Sequence, residues 1–169
     1  MDGVLEMVYL GEIVLQSKIA KKASDRLSVT YENFDEIEIW SSIQSILAAA
    51  GNLSKILWPQ KKHCARGKHL RRLLNVDNDN LLSYRTFRNH FEHYDERISD
   101  WFSNQSSAVY RDLDIDPFPS TWKMVDRNKN GSYDPLAKVL TFRGKSLNLR
   151  EVLDAIGDIQ LNCGSFRLT

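Results

Sequence analysis

The sequence predicts a mainly α-helical protein, in which an all-α bundle is followed by a small C-terminal β-hairpin and a terminal helix. Three observations predict this class. Apolar residues recur every three or four positions through residues 39–57 and again through residues 81–102, which is the period of an α-helix. The pattern stops in residues 104–120, which contain two prolines. A short stretch rich in strand-forming residues, 139–142, follows it.

Composition and length are those of one soluble globular domain. The chain has 169 residues, is 42% hydrophobic and 27% charged, and has a net charge of +1. We expect a single domain made of a helical core (1–103), a surface loop (104–120) and a hairpin with a last helix (121–169). No apolar run approaches the roughly 18 residues that cross a bilayer, and no signal-peptide pattern opens the chain. The expected location is the cytoplasm, without a membrane partner and with Cys64 and Cys163 reduced.

The first two helices are predicted from apolar spacing and end signals. Residues 3–27 are expected to be helical, with a connection over residues 28–31. Asn33 and Glu36 match a capping box, so the second helix is expected to begin there. It ends at Trp58-Pro59, because the residue before a proline is pushed out of the α region. Its inward positions repeat at intervals of 4, 3, 4, 3 and 4 residues: Ile39, Ile43, Ile46, Ala50, Leu53 and Leu57.

A short third helix is predicted over residues 65–74, followed by a polar turn over residues 77–80 that supplies a cap for the next helix. That next helix, residues 81–102, is the strongest pattern in the chain. Its apolar positions fall at intervals of 3, 4, 3, 4 and 3 residues and predict one buried stripe: Tyr84, Phe87, Phe91, Tyr94, Ile98 and Trp101.

The C-terminal part is predicted as a hairpin and a helix. Residues 139–142 form one strand, Arg143-Gly144 the turn and residues 145–148 the returning strand. Asp134-Pro135 marks an earlier turn. Asn148 and Glu151 repeat the capping-box pattern and start a last helix that runs through Ile159.

Charge is unevenly distributed along the chain. No Asp or Glu lies between Ile39 and Val76, and this part of the chain holds seven Lys or Arg. Cations without acids form a surface that attracts phosphate, so this basic segment is a candidate to bind an RNA substrate. An ordinary solvated surface is the alternative. The candidate substrate-binding residues are Lys61, Lys62, Arg66, Lys68, Arg71 and Arg72.

The central helix also contains an unusual polar sequence, R-N-x-x-x-H, formed by Arg88, Asn89 and His93. Asn89 and His93 lie away from the apolar stripe. In spacing and helical context this sequence resembles the HEPN superfamily, over residues 1–103. The resemblance implies an antiparallel helical bundle, metal-independent RNA cleavage and a site formed at a homodimer interface, with RNA and a cognate regulatory protein as partners. It implies no cofactor.

The residue types fit that chemistry. The histidine side chain is suited to general-base catalysis, so His93 can take a proton from a ribose 2′-hydroxyl. Arg88 has a planar, charged fork suited to phosphoryl oxygens, and Asn89 can orient the imidazole or bind the substrate. Arg88 and His93 point about 140° apart on one helix. Two copies of the helix about a two-fold axis would bring them together.

Two other interpretations of the same face stay open. Arg88 and Glu92 are an i,i+4 pair of opposite charge, which is typical of a solvated helix. A non-catalytic HEPN-like dimer that binds a nucleotide or a protein partner is the alternative function. Many superfamily members that pair with nucleotidyltransferase antitoxins have a Tyr two residues after the His, where this chain has Asp95. Acids near His93 would repel RNA phosphate, which favours this alternative.

Two other sequence patterns are related to known cation sites. His90 and His93 are three residues apart, and His63 adjoins Cys64, yet neither HExxH nor CxxC occurs. Residues 126–131 match the first half of an EF-hand loop, but the position of the bidentate Glu is Ala137. Turn residues explain the second match, and no metal site is predicted.

Overall fold

The computed structural model describes residues 3–30, 35–84, 95, 96, 99, 103, 114, 115, 131–142 and 145–166. The chain divides into two compact units, Met1–Arg88 with Glu151–Thr169, and Asn89–Arg150. The mainly helical class with a small sheet near the C-terminus is confirmed. Within the described residues, no helix is both long enough and apolar enough to cross a membrane.

Helix α1 spans Gly3–Thr30 and is longer than predicted. Residues 28–30, expected to be a connection, complete its last turn. The Ser28 and Thr30 hydroxyls donate to the carbonyls of Ser24 and Arg26, at 3.0 and 2.9 Å. Such bonds to the carbonyl four residues back leave the helix intact, and neither Gly nor Pro interrupts this stretch.

Helix α2 spans Glu36–Leu57. The predicted cap at Asn33 is wrong, because Asp35 is the N-cap and accepts a hydrogen bond from the Glu38 amide at 3.0 Å. Asn33 lies outside the described residues. The predicted inward repeat is confirmed, since all six of its residues are buried. The helix ends as predicted at Trp58, whose N–H donates to the Ser54 carbonyl.

Helices α1 and α2 make the most extensive contact between elements in the described structure. Small residues line the buried faces of both helices, so their backbones can pack closely. A polar contact helps to fix how the two helices align: the side-chain amide of Asn52 donates to Gln16 Oε1 at 3.2 Å. The small buried residues are Ser17, Ala20 and Ala23 in α1 and Ala49, Ala50 and Gly51 in α2.

Helix α3 spans Cys64–Leu73 and follows a 3-10 turn at Lys61–His63. Leu70 and Leu74 are fully buried. Gly67 lies directly against the end of α2. A Cβ atom there would lie 2.4 Å from Pro59 Cδ and 2.6 Å from the Leu57 carbonyl oxygen. The third helix can therefore pack in this position because it has a glycine at the contact.

The predicted continuous helix over residues 81–102 is wrong at its start. Leu81–Ser83 is a single 3-10 turn, capped by Asn80, which accepts from the Leu82 amide at 2.9 Å. Tyr84 then leaves the helical region at φ −76° and ψ 116°, and 65% of its surface is exposed. Its predicted place in the buried stripe is also wrong. The other five stripe residues lie outside the described residues, whereas positions 95, 96, 99 and 103 are helical.

The second unit contains a four-stranded sheet of order β1-β2-β3-β4. Strand β1 (Asp114–Ile115) pairs in parallel with β2 (Gly131–Asp134), which pairs antiparallel with β3 (Val139–Phe142). The predicted hairpin is confirmed, because β3 pairs antiparallel with β4 (Lys145–Asn148). The predicted loop over residues 104–120 instead contains β1, and β2 was not predicted. Strand β1 has two residues, too few to show a period of two, and β2 reads Gly-Ser-Tyr-Asp, which has a single large apolar residue.

The turn predicted at Asp134-Pro135 is confirmed, since the Asp134 carboxylate accepts from the amides of Leu136 and Ala137, each at 2.9 Å. Helix α4 spans Leu149–Asn162, three residues beyond its predicted end. Its predicted cap is confirmed, because the Asn148 side chain accepts from the Arg150 amide at 2.9 Å.

The end of α4 belongs to the first unit. It passes into a 3-10 turn, Cys163–Phe166, which contacts α1. The side-chain amide of Asn162 donates to the Leu74 carbonyl at the end of α3, at 2.9 Å. This bond satisfies one of the carbonyls that a helix leaves unpaired at its C-terminus.

Candidate nucleic-acid interface

The three predicted catalytic residues, Arg88, Asn89 and His93, lie outside the described residues, and their roles stay predictions. The described positions nearest to His93 on its C-terminal side are Asp95 and Glu96, which are helical and exposed. Two of the acids that lie close to the motif in the sequence therefore have their side chains at the protein surface.

The structure separates the six predicted substrate-binding cations into two groups. Arg66 and Arg71 are partly buried and bond to other parts of the first unit. The other four are exposed, and no hydrogen bond or ion pair to their side chains occurs within the described residues: Lys61, Lys62, Lys68 and Arg72. Only the second group is available to bind a ligand, because its charges are not already used in bonds within the described residues.

Arg66 joins three elements. Its Nη1 donates to the Tyr9 hydroxyl at 2.8 Å, and its guanidinium lies over the Tyr9 ring, 4.6 Å from the centroid. Its Nη2 donates to the Lys55 carbonyl at 3.3 Å. Arg66 therefore holds α3 against α1 and the last turn of α2, and stacking of a cation on an aromatic face adds to its hydrogen bonds.

Arg71 caps the end of α2. Its Nη1 donates to the Leu57 carbonyl, its Nε donates to Asn78 Oδ1 at 3.2 Å, and its guanidinium lies 5.4 Å from the centroid of the Trp58 ring. Burial lowers the pKa of the Arg71 guanidinium, but an arginine stays charged at any physiological pH. The charge of Arg71 therefore lies at the Leu57 carbonyl, at the C-terminus of α2, where the helix dipole favours a cation.

The four exposed cations occupy the outward side of the segment formed by the 3-10 turn and α3. Lys68 and Arg72 are one helical turn apart and share a face with Ala65, which is also exposed. The opposite side of α3 holds the buried Leu70. We call Lys61, Lys62, Lys68 and Arg72 the cationic face. The next acids along the chain, Asp77 and Asp79, lie beyond the end of α3.

Histidines and cysteines near this face form no metal site in the part of the chain that the structure describes. His69 contacts the Glu6 carboxylate of α1 through Nε2. Cys64 is exposed and Cys163 is buried, and neither forms a disulfide. At the partial EF-hand sequence, Gly131 opens strand β2 and Ala137 lies in the following turn. Residues 126–130 of this sequence lie outside the described residues, so its interpretation as a turn stays a prediction.

Sequence reasoning missed the structural task of Arg66 and Arg71. Their partners, Tyr9 and Trp58, are aromatic residues in other helices or at their ends. The one local signal is the neighbouring Gly67, which indicates close packing at the centre of α3. A comparison of the chain with protein-family profiles, curated proteins and solved structures finds no match.

Proposed function

We propose that this protein is a HEPN-like, metal-independent endoribonuclease that acts as a homodimer. The observation that supports it most is the cationic face, four exposed and uncommitted cations in a stretch without acids. It lies on the sequence segment that precedes the R-N-x-x-x-H motif. A surface of this kind raises the local concentration of a phosphate-rich substrate.

The proposed reaction uses the RNA's own ribose as the nucleophile. His93 takes the proton from a 2′-hydroxyl, and the oxygen attacks the adjacent phosphorus. The bond from phosphorus to the 5′-oxygen of the next nucleotide breaks, and that oxygen leaves with a proton. The products are a 2′,3′-cyclic phosphate and a 5′-hydroxyl, and no metal takes part. Arg88 offsets the charge that builds on the phosphoryl oxygens, and Asn89 orients the imidazole or the substrate.

A homodimer is part of the proposal, because the Arg88 and His93 side chains of a single chain do not point towards each other. Arg88 and His93 are five residues apart and point about 140° away from each other on a regular helix. A two-fold axis repeats every contact in reverse, so the arginine of one chain can meet the histidine of the other. Two equivalent sites would result.

RNA cleavage in the presence of EDTA tests the proposal. Wild-type protein is expected to cut RNA and to leave 2′,3′-cyclic phosphate ends, because the nucleophile is activated by His93 and not by a metal. His93→Ala is expected to lose activity by a factor of about 100 or more, the usual contribution of a positioned general base. His90→Ala, the same change at a non-motif position three residues away, is the matched control. Equal activity in the two variants would reject the assignment.

A non-catalytic dimer that binds a nucleotide or a protein partner is the second candidate. The exposed acids Asp95 and Glu96, close after His93 in the sequence, favour it, because negative charge beside the motif opposes RNA phosphate. This function predicts no cleavage product at any enzyme concentration. It also predicts that His93→Ala changes dimerisation or ligand affinity instead of a rate.

A further inference from the structure

We infer that the cationic face binds the sugar–phosphate backbone of single-stranded nucleic acid. The inference deepens the proposed function by naming its substrate class, and it rests on that function only for the choice of RNA over DNA. The inference is based on how the fold divides the six cations of the basic segment into two that bond within the protein and four that are exposed. Arg66 and Arg71 donate hydrogen bonds to backbone carbonyls and lie over aromatic rings of the protein, whereas the four remaining cations are exposed.

The size of the face fits one strand. From Lys61 to Arg72 it extends about 18 Å along the 3-10 turn and the helix, from their rises per residue. Lys68 and Arg72 share one face of α3, and Lys61 and Lys62 continue the cations beyond its N-terminus. We expect a cluster of this length to meet consecutive phosphates of one strand. Duplex RNA is bound differently, through contacts that span two successive minor grooves and the phosphates between them.

The residue types on the face fit backbone binding. Three of its four cations are lysines, and the exposed residues between Lys62 and Lys68 are His63, Cys64 and Ala65. Lysine ammonium groups bind phosphate as point charges. Affinity is therefore expected to depend on salt and little on sequence.

The same residues argue against a membrane as the partner. A helix that lies in a membrane interface needs an exposed apolar face beside its cations. The apolar side of α3 is used within the protein, where Leu70 is fully buried. The exposed side of α3 could therefore attract anionic lipids through its positive charges, but it has no large apolar side chains to insert into a membrane.

Binding to single-stranded DNA of about 20 nucleotides, long enough to cover the face, tests the inference separately from cleavage. DNA lacks the 2′-hydroxyl and is not cut by the proposed reaction, so failure of the chemistry and failure of binding are distinguishable. With four phosphate contacts, the slope of log K against log salt is expected to be about −2.8, which is roughly a 50-fold loss of affinity between 50 and 200 mM salt. Single-stranded RNA is expected to give the same slope with the His93→Ala protein.

Lys68→Gln with Arg72→Gln removes two contacts and is expected to reduce the slope to about −1.4, or roughly a sevenfold loss over the same salt range. Lys18→Gln with Lys22→Gln, two exposed cations one turn apart on α1, is the matched control and should keep the wild-type slope. Equal effects of the two double variants would overturn the inference. So would tighter binding to duplex RNA, or binding to phosphatidylserine vesicles but to neither single strand. The salt slope of the wild-type protein decides the question even if a variant does not fold.

Discussion

Arg66 Nη1 donates to the hydroxyl of Tyr9 at 2.8 Å, and this bond joins α3 to α1 across 57 positions of sequence. The same guanidinium stacks on the Tyr9 ring. An arginine in a long acid-free stretch would by itself indicate a nucleic-acid contact. Here it stabilises the helical unit that presents the other cations. The fold therefore uses part of its basic segment to hold the rest of it in place.

Removing Arg66 is expected to destabilise the protein. Arg66→Met loses two charge-assisted hydrogen bonds and the contact with Tyr9, and the expected cost is about 2 to 3 kcal/mol of unfolding free energy. Tyr9→Phe keeps the ring but loses the acceptor, at about 1 kcal/mol. Arg72→Met, an exposed arginine in the same helix, is the control and should stay within about 0.5 kcal/mol. Urea unfolding measures all three, and equal values for Arg66→Met and Arg72→Met would show that Arg66 has no structural task.

Gly67→Ala is expected to destabilise the protein even though alanine favours helices. The added Cβ would approach Pro59 Cδ and the Leu57 carbonyl oxygen to 2.4 and 2.6 Å. Overpacking of this kind costs about 1 to 3 kcal/mol, and a backbone oxygen has little room to shift. Gly11→Ala is the control, because nothing lies within 4 Å of a Cβ there.

At Gly11 the helix-propensity gain of alanine should appear alone, as a stabilisation of up to about 1 kcal/mol. The two substitutions are therefore expected to have opposite signs in thermal or urea unfolding. Stabilisation by Gly67→Ala would show that α3 is not held against the end of α2.

The two cysteines are expected to differ in reactivity and in their effect on stability at high pH. Burial raises the pKa of the Cys163 thiol to about 11, from an ordinary value of 9.0. Unfolded chains then lose this proton at a lower pH than folded ones, so stability that is complete below about pH 9 is expected to fall as pH rises towards 11.

Thiol labelling and pH-dependent unfolding measure this difference. A thiol reagent at pH 8 should label the exposed Cys64 in the native protein and Cys163 only after unfolding. Cys163→Ala should show a smaller loss of stability between pH 9 and 11 than the wild type, whereas Cys64→Ala should follow the wild-type curve. Native labelling of both thiols would contradict the buried position of Cys163.

Sequence periodicity predicted the structure correctly where an element is long and buried on one side. The inward repeat from Ile39 to Leu57 predicted the buried face of α2 position by position, because six evenly spaced apolar residues leave one choice of face. The prediction failed at Tyr84, where the Asn80 side chain accepts a hydrogen bond from the Leu82 amide, a single 3-10 turn forms and the chain leaves the helix. A local side-chain bond of this kind competes with a helix that the apolar spacing alone predicts.

The cationic face was only partly predictable for a different reason. Charge content identified the basic segment, but which cations face outward depends on tertiary partners. Arg66 and Arg72 are chemically identical and six residues apart, and the position of Tyr9 and Lys55 decides which one is bound by the protein. Sequence spacing along one helix holds no information about residues packed against it from another.

Mixing two inactive variants tests the central claim, that each site takes its arginine from one chain and its histidine from the other. Arg88→Ala and His93→Ala proteins are each expected to be inactive alone. After unfolding and refolding together, about half of the dimers would be mixed and one of their two sites intact, so roughly a quarter of wild-type cleavage should return. Recovery of that size is the predicted result. No recovery from a mixture shown to contain mixed dimers, or a protein that stays monomeric throughout, would contradict it.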